Sequence, residues 1–304
     1  MTTASGSGRL LLAVAAVAAI LVAPAAGGAS GGSGHRSAYA GLGTWIDIYD
    51  TAYWAHPQRT VAEMARDGVR TLYLQTGNYQ QRVALVRRRK LSRFVDAAHA
   101  AGMRVVAWYL PSFLHPAGDA RRSLAAIRFR SARSERFDSF ALDIEASLVK
   151  SVPLRNKRLL HLSARLRRAV GRRYRLGAII PSPLGIRRHR AYWPHFPYRE
   201  LARSYDAFLP MAYSTSRVRG AARTRAYDAS DIAIIRERTG RPHVRVHLIG
   251  GIADYMGPQE TAGFVQAVDD CGPVGYSLYD FSTTRPATWR ALAAPRPGTR
   301  RRCT

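Results

Sequence analysis

The stretch RFDSFALDIEAS, residues 136–147, decides how this chain is read. It sets three carboxylates, Asp138, Asp143 and Glu145, among residues apolar enough to form a buried strand. Burying a polar group without a partner costs about 2–7 kcal/mol, and an ionised one costs more. A strand carrying such groups therefore pairs them or uses them. Side chains alternate along a strand, so Ala141, Asp143 and Glu145 share one face, with the Cα atoms of the two acids about 6–7 Å apart.

Strand-like segments recur on both sides of it, at residues 44–49, 69–75, 103–110, 137–145, 174–180, 205–213, 244–250 and 274–281. Helical patterns lie between them. Four of these, at 60–68, 91–102, 156–171 and 258–272, each end in a glycine just before the next strand, the stop signal of a helix-to-strand connection. Eight strand–helix units predict an α/β fold of the (β/α)8 TIM barrel type, a single domain over residues 41–295. A doubly wound sheet is the competing architecture. Nucleotide-binding members of that class carry a glycine-rich fingerprint after the first strand, and IDIYDTAYW has none.

In a barrel, the C-terminal end of strand four opens into the mouth, where such folds keep their sites. Like charges at the spacing of Asp143 and Glu145 raise the pKa of one of them, which suits a general acid working near neutrality. The alternative is a structural Asp and Glu paired with arginines of the barrel. Gln75, Trp108, Tyr213 and Tyr279 stand at other strand ends and converge on the same rim.

Composition sets the outer limits. A chain of 304 residues, 47% of them apolar, can bury a full core. Residues 1–26 read as a secretory signal: Arg9, an apolar run over 10–22, then an Ala-x-Ala site at 23–25. The run is shorter than the roughly 20 residues of a membrane span, so cleavage is expected to leave no stable span. Residues 27–40, rich in Gly and Ser, read as a flexible linker, and 296–304 as a basic tail. The two cysteines, Cys271 and Cys303, either bridge in an oxidising compartment and tie that tail to the body, or stay as free thiols.

The net charge of +27 comes almost wholly from arginine, since only Lys90, Lys150 and Lys157 are lysines. The arginines are spread along exposed helix faces, and no nucleic-acid-binding motif accompanies them, so no specific nucleic-acid partner is expected. An exported cation of this size is expected to adhere to anionic cell-wall polymers through attraction that salt weakens.

DSFALDIE, residues 138–145, resembles the strand-four signature of glycoside hydrolase family 18, the chitinases and their relatives, D-G-x-D-x-D-x-E. Asp138, Asp143 and Glu145 fall in register with it. DAFLPMAYS, residues 206–214, is similar to that family's strand-six D-x-x-x-x-M-x-Y-D, matched by Asp206, Met211 and Tyr213. The resemblance implies a secreted, cofactor-free hydrolase of a polysaccharide containing N-acetylhexosamine. Glu145 would protonate the glycosidic oxygen, Asp143 would orient the substrate's acetamido group, and Tyr213 would hold that group by a hydrogen bond. Gln75, Trp108, Asp206, Met211, Tyr279 and Asp280 would contact the sugar.

Three departures stand out. Ala141 replaces the family's middle Asp, Ser139 its Gly, and Ser214 the Asp after the strand-six Tyr. Strand eight, where the family supplies a tryptophan floor, offers Tyr279 or Phe281 here. A D-x-E pair is also used by the family 25 lysozymes, which would act on peptidoglycan without an acid at 141. Action on a polysaccharide lacking acetyl groups, and sugar binding without catalysis, are the remaining alternatives.

Other residues carry weaker signals. Trp45 and Asp47 share a face on strand one, where Trp45 suits the core and Asp47 the base of the site. Residues 192–198, YWPHFPY, read as a sugar-stacking lip or as a packed loop. His115 and His247 lie near strand ends with no second ligand at metal spacing, so no metal is implied.

Overall fold

The computed structural model describes residues 37–294 and Cys303. The signal-like segment, most of the expected linker and most of the basic tail lie outside the described residues. The strands are β1 (Gly41–Ile46), β2 (Thr71–Asn78), β3 (Arg104–Leu110), β4 (Ser139–Asp143), β5 (Leu176–Pro181), β6 (Ala207–Met211), β7 (Arg245–Ile252) and β8 (Gly275–Tyr279). All neighbouring pairs are parallel, and β8 returns to β1 through Gly275 opposite Gly41, closing an eight-stranded barrel. The expected (β/α)8 architecture is the one observed.

The helices are α1 (Thr51–Ala55), α2 (Pro57–Arg66), α3 (Arg88–Ala100), α4 (Pro116–Ile127), α5 (Val152–Val170), α6 (Pro183–Arg188), α7 (Tyr198–Ser204), α8 (Ala221–Thr239), α9 (Pro258–Cys271) and α10 (Pro286–Leu292). They pack on the barrel by apolar stripes at helical spacing. In α3 the buried residues are Leu91, Phe94, Val95 and Ala98, and fully burying a side chain of the Leu, Val or Phe size stabilises by about 1.5–3 kcal/mol. The stop glycines act as expected: Gly68, Gly102, Gly171 and Gly272 all hold positive φ, which costs a residue with a Cβ more than it costs glycine.

The barrel interior is a separate apolar cluster that includes Trp45, Tyr73, Val106, Ala141, Ile179 and Leu209. Its floor is closed by Tyr39, which precedes β1 and is 1% exposed. Tyr39 thus belongs to the fold, and the linker expected over 27–40 gives way to ordered structure within its last residues. The reason is tertiary: inward-facing glycines leave room for the ring. A Cβ at Gly177 would lie 2.6 Å from the Tyr39 hydroxyl. The hydroxyl meets Ser139 Oγ at 2.6 Å and the Phe140 carbonyl at 3.2 Å, and Ser139 Oγ donates to the Arg175 carbonyl at 2.7 Å. Ser139 therefore serves the floor, far below the rim.

Above the floor lies a polar chain. Trp45 Nε1 donates to Ser277 Oγ at 2.8 Å, and Ser277 meets His247 Nε2 at 2.9 Å. His247 Nδ1 lies 2.9 Å from the Tyr39 carbonyl, which can only accept, so the proton sits on Nδ1 and Nε2 accepts from Ser277. Burial lowers the His247 pKa to about 4, so the ring is neutral over the physiological range. Trp45 and His247 are barrel filling. His115 is exposed and precedes α4.

Candidate active site

Asp143 is the last residue of β4, and Glu145 follows two positions on with its side chain on the same inward face. Together with Gln75, Trp108, Tyr213 and Tyr279 they line a cavity of about 310 Å³ at the C-terminal mouth of the barrel. Met211 lies on its wall as well. A second cavity, of about 370 Å³, opens on the other side of Glu145, Met211 and Tyr213. Asp143 lines only the first cavity, whereas Glu145 and Tyr213 line both.

The polar groups at this junction have few protein partners. Neither carboxylate takes part in an ion pair among the described residues, in a chain that carries 47 basic side chains. Asp143 Oδ1 is buried and has no hydrogen-bond partner, and neither has Trp108 Nε1. A structural Asp and Glu neutralised by barrel arginines is therefore not what the strand carries. Buried polar groups are normally satisfied, so orphans gathered at one cavity call for a ligand or for solvent.

Electrostatics follow from that geometry. Burial, and then the charge of Glu145, push the Asp143 pKa well above the ordinary carboxylate value. Burial also raises Glu145. A pair so placed retains a proton to higher pH than free carboxyls do, which is what a general acid requires. Burial, then the nearby Asp143 and Glu145, keep the Tyr213 phenol protonated and able to donate.

Tyr213 is held by its neighbours rather than by its hydroxyl. Its backbone has φ of +43°, a left-handed conformation that costs a non-glycine residue about 1–3 kcal/mol. The following turn, Ser214–Ser216, is strapped to β7: Ser214 Oγ donates to the Gly250 carbonyl at 3.0 Å, and the Ile252 N–H donates to Thr215 Oγ1 at 3.3 Å. Ser214, where the family pattern has an acid, is thus buried and used to fix the corner.

Two of the expected substrate contacts are elsewhere. Asp206 lies at the opposite end of the barrel, just before β6, where it accepts from Arg167 at 2.6 Å, Arg175 at 3.1 Å and the Leu176 N–H at 2.9 Å. The five residues of β6 lie between it and the corner that holds Tyr213, about 17 Å of strand at the usual rise. Asp138 does the same for β3, accepting from the Val105 N–H at 2.7 Å and meeting His99 at 2.9 Å. Each Asp caps the start of the preceding strand. Asp280 lies just beyond the end of β8; its Oδ1 accepts from Ser282 Oγ and the Thr283 N–H. Its carboxylate lies within 4.8 Å of those of Asp47 and Asp50, and it does not line the cavity.

The loop after β1, the last residue of β2 and the loop that follows it add residues that sequence reasoning did not single out: Tyr49, Asn78, Tyr79 and Gln80. Asn78 Nδ2 donates to the Tyr49 hydroxyl at 3.1 Å. Asp47 also lines the cavity and accepts from the Tyr279 hydroxyl at 2.7 Å, while Gln75 Oε1 accepts the Ile48 N–H at 2.9 Å. The density of amides and phenols in residues 75–80 was the available signal. Of the 192–198 stretch, Trp193, Phe196 and Tyr198 are packed in the core, and Tyr192 alone reaches the second cavity. Its hydroxyl donates to the Glu145 carbonyl at 2.7 Å.

The chain is similar to solved structures of barrel hydrolases. An endo-β-1,4-mannanase from Thermotoga petrophila matches over 82% of this chain and 69% of its own, with TM-score 0.61 and 11% identity. A chitinase from Chromobacterium violaceum matches over 84% and 100%, with TM-score 0.57 and 12% identity. The PgaB (BpsB) glycoside hydrolase domain from Bordetella bronchiseptica matches over 83% and 98%, with TM-score 0.52 and 14% identity. What they share with this chain is the fold. No protein-family model matches the sequence, and no curated protein is similar to it.

Proposed function

We propose that the chain is an exported glycoside hydrolase of a polysaccharide containing N-acetylhexosamine, with Glu145 as general acid. The observation that carries this is the set of groups at the cavity junction without an ion pair among the described residues: buried Asp143, with its orphan Oδ1, and half-buried Glu145 and Tyr213. The acetylated sugar occupies the cavity that Asp143 lines, and the scissile bond lies over Glu145.

Glu145 gives its proton to the glycosidic oxygen as the bond to the anomeric carbon breaks. The acetamido carbonyl oxygen attacks that carbon from the same sugar, while its N–H donates to the orphan Oδ1 of Asp143 and the Tyr213 hydroxyl, by donating to the carbonyl oxygen, holds the group in line for attack. Water then opens the cyclic intermediate, with Glu145 taking back a proton. Ala141 fits this scheme, because it leaves Asp143 without a second acid below it and free to answer the substrate alone. Fold likeness to a chitinase and to a glycoside hydrolase domain supports the reaction class. The signal-like N-terminus and the Cys271–Cys303 disulfide support export to an oxidising compartment. The net charge supports retention on anionic wall polymers.

The test is hydrolysis of chitin oligosaccharides, peptidoglycan and mannan by the wild type and by Glu145→Gln. Turnover confined to acetylated substrates and abolished in the variant is expected. Turnover of mannan would retain Glu145 but reject acetamido participation, and full activity of Glu145→Gln would reject the acid itself. Sugar binding with no turnover by the wild type would leave a binding barrel.

A further inference from the structure

We propose that the cavity beyond Glu145 receives a sugar bearing a carboxylate, so that the bond cleaved joins an N-acetylhexosamine on the Asp143 side to an acidic sugar on the leaving side. This rests on the glycosidase reading of Glu145. The two cavities share Glu145, Met211 and Tyr213 but differ in charge. The first is lined by Asp47 and Asp143 with the amides Gln75, Asn78 and Gln80, and by no basic residue. The second is lined by Arg217 and His189, and by no acid except Glu145.

Arg217 is oriented by a hydrogen bond of its Nη1 to His189 Nε2 at 3.4 Å and takes part in no ion pair among the described residues. A cationic surface leaves many arginines unpaired, but this one stands in the wall of the catalytic groove. A second cation lies behind the same wall. Arg155, 2% exposed, donates through Nη2 to the Tyr192 carbonyl at 3.1 Å and stacks 4.1 Å over Trp193, with no carboxylate paired to it among the described residues. Tyr192 itself lines the cavity.

The chemistry suits a carboxylate. A guanidinium binds one through two parallel N–H···O bonds, and the field of a buried cation is weakly screened. A neutral sugar would gain single hydrogen bonds from its hydroxyls but neither the paired bonds nor the charge attraction. An anion beside Glu145 would also help that acid keep its proton until the leaving oxygen takes it. The carboxylate can belong to a uronate ring or to a lactyl ether on an amino sugar.

The test uses the Glu145→Gln protein, so that binding is read apart from turnover. Calorimetry would compare three oligosaccharides of equal length: one alternating N-acetylglucosamine with glucuronate, a lactyl-bearing peptidoglycan strand, and neutral chitin. At about 0.15 M salt, one acidic ligand should bind about tenfold or more tightly than chitin. Adding Arg217→Gln should erase that advantage without weakening chitin, and Arg217→Lys should restore part of it. Whichever acidic ligand gains identifies the source of the carboxylate. Arg168→Gln, which removes the same charge from the last turn of α5 at the floor end of the barrel, should change nothing.

Equal binding of acidic and neutral ligands overturns the proposal. So does an Arg168→Gln effect as large as that of Arg217→Gln, which would mean diffuse attraction, and so does absence of binding to all three. If an acidic ligand binds through Arg217 yet the wild type cleaves none of the three, the subsite stands and the glycosidase reading falls.

Discussion

Replacing Asp143 with asparagine should make the protein more stable, and by an amount that depends on pH. Asp143 is 5% exposed, and among the described residues its Oδ1 has no partner and it forms no ion pair. A buried polar group left unsatisfied costs about 1–3 kcal/mol. The unfolded chain titrates this residue near the ordinary aspartate value of about 3.9. Burial and the charge of Glu145 raise the folded value well above it. Within that window the folded state binds more protons than the unfolded one, so this residue makes stability fall as pH rises.

Asparagine has the same shape and no charge, so that part of the slope disappears. At about pH 8 the variant should gain about 1–3 kcal/mol, and for a domain of this size each kcal/mol moves Tm by about 2–4 °C. At about pH 4 the folded wild-type carboxyl is protonated, and the difference should shrink toward zero. Glu145 adds a slope of the same sign, as do Asp50 and Asp231, each raised to about 7 by burial, while His247, lowered to about 4, adds the opposite one. The quantity to follow by thermal unfolding is therefore variant minus wild type. A variant less stable than wild type at high pH, or a difference constant across the range, refutes the view that Asp143 is a buried carboxyl without a partner.

Tyr213→Phe should leave Tm unchanged while lowering kcat/KM about 10–100-fold, the loss of one hydrogen bond that positions the acetamido group; a fall of several degrees would reveal a structural role for the hydroxyl. Tyr39→Ala should cost about 3–5 kcal/mol in urea unfolding and Tyr39→Phe about 1, whereas wild-type stability of the alanine variant would mean that the floor does not depend on the ring. Asp206→Asn should lower stability by about 1–3 kcal/mol and leave KM unchanged, since its carboxylate serves Arg167, Arg175 and the start of β5; a raised KM would return it to the site. Cys303→Ser, which opens a bridge across a separation of 32 residues, should cost about 3–4 kcal/mol, and two reactive thiols in the wild type would count against the bridge.

The barrel was legible because its signals are local. Alternating strands, amphipathic helices and stop glycines are each set by a few neighbouring residues, and eight repetitions leave little choice of topology. Asp143 and Glu145 were legible for a related reason: two acids in an apolar strand are conspicuous whatever surrounds them. Asp206 and Asp280 were misread because a motif match says nothing about which end of a strand a residue occupies or which way it points. Asp206 precedes its strand and lies on the floor side, while Asp280 lies beyond the end of β8 with its Oδ1 taken up by Ser282 and Thr283. The linker boundary failed at Tyr39 because nothing beside that residue shows the space that glycines from distant strands leave for it.

By itself the sequence determined the period of the elements, and with it the class of fold and the strand that carries the acids. Tertiary structure alone decided which charges stay unpaired. Among so many arginines, any could have neutralised Asp143 or Glu145, and among the described residues none pairs with either, not even Arg217 in the wall of the second cavity. Closure of the barrel placed Arg217 and His189 on one side of Glu145 and the amides of β2 on the other, because residues far apart in the chain become neighbours only when β8 meets β1.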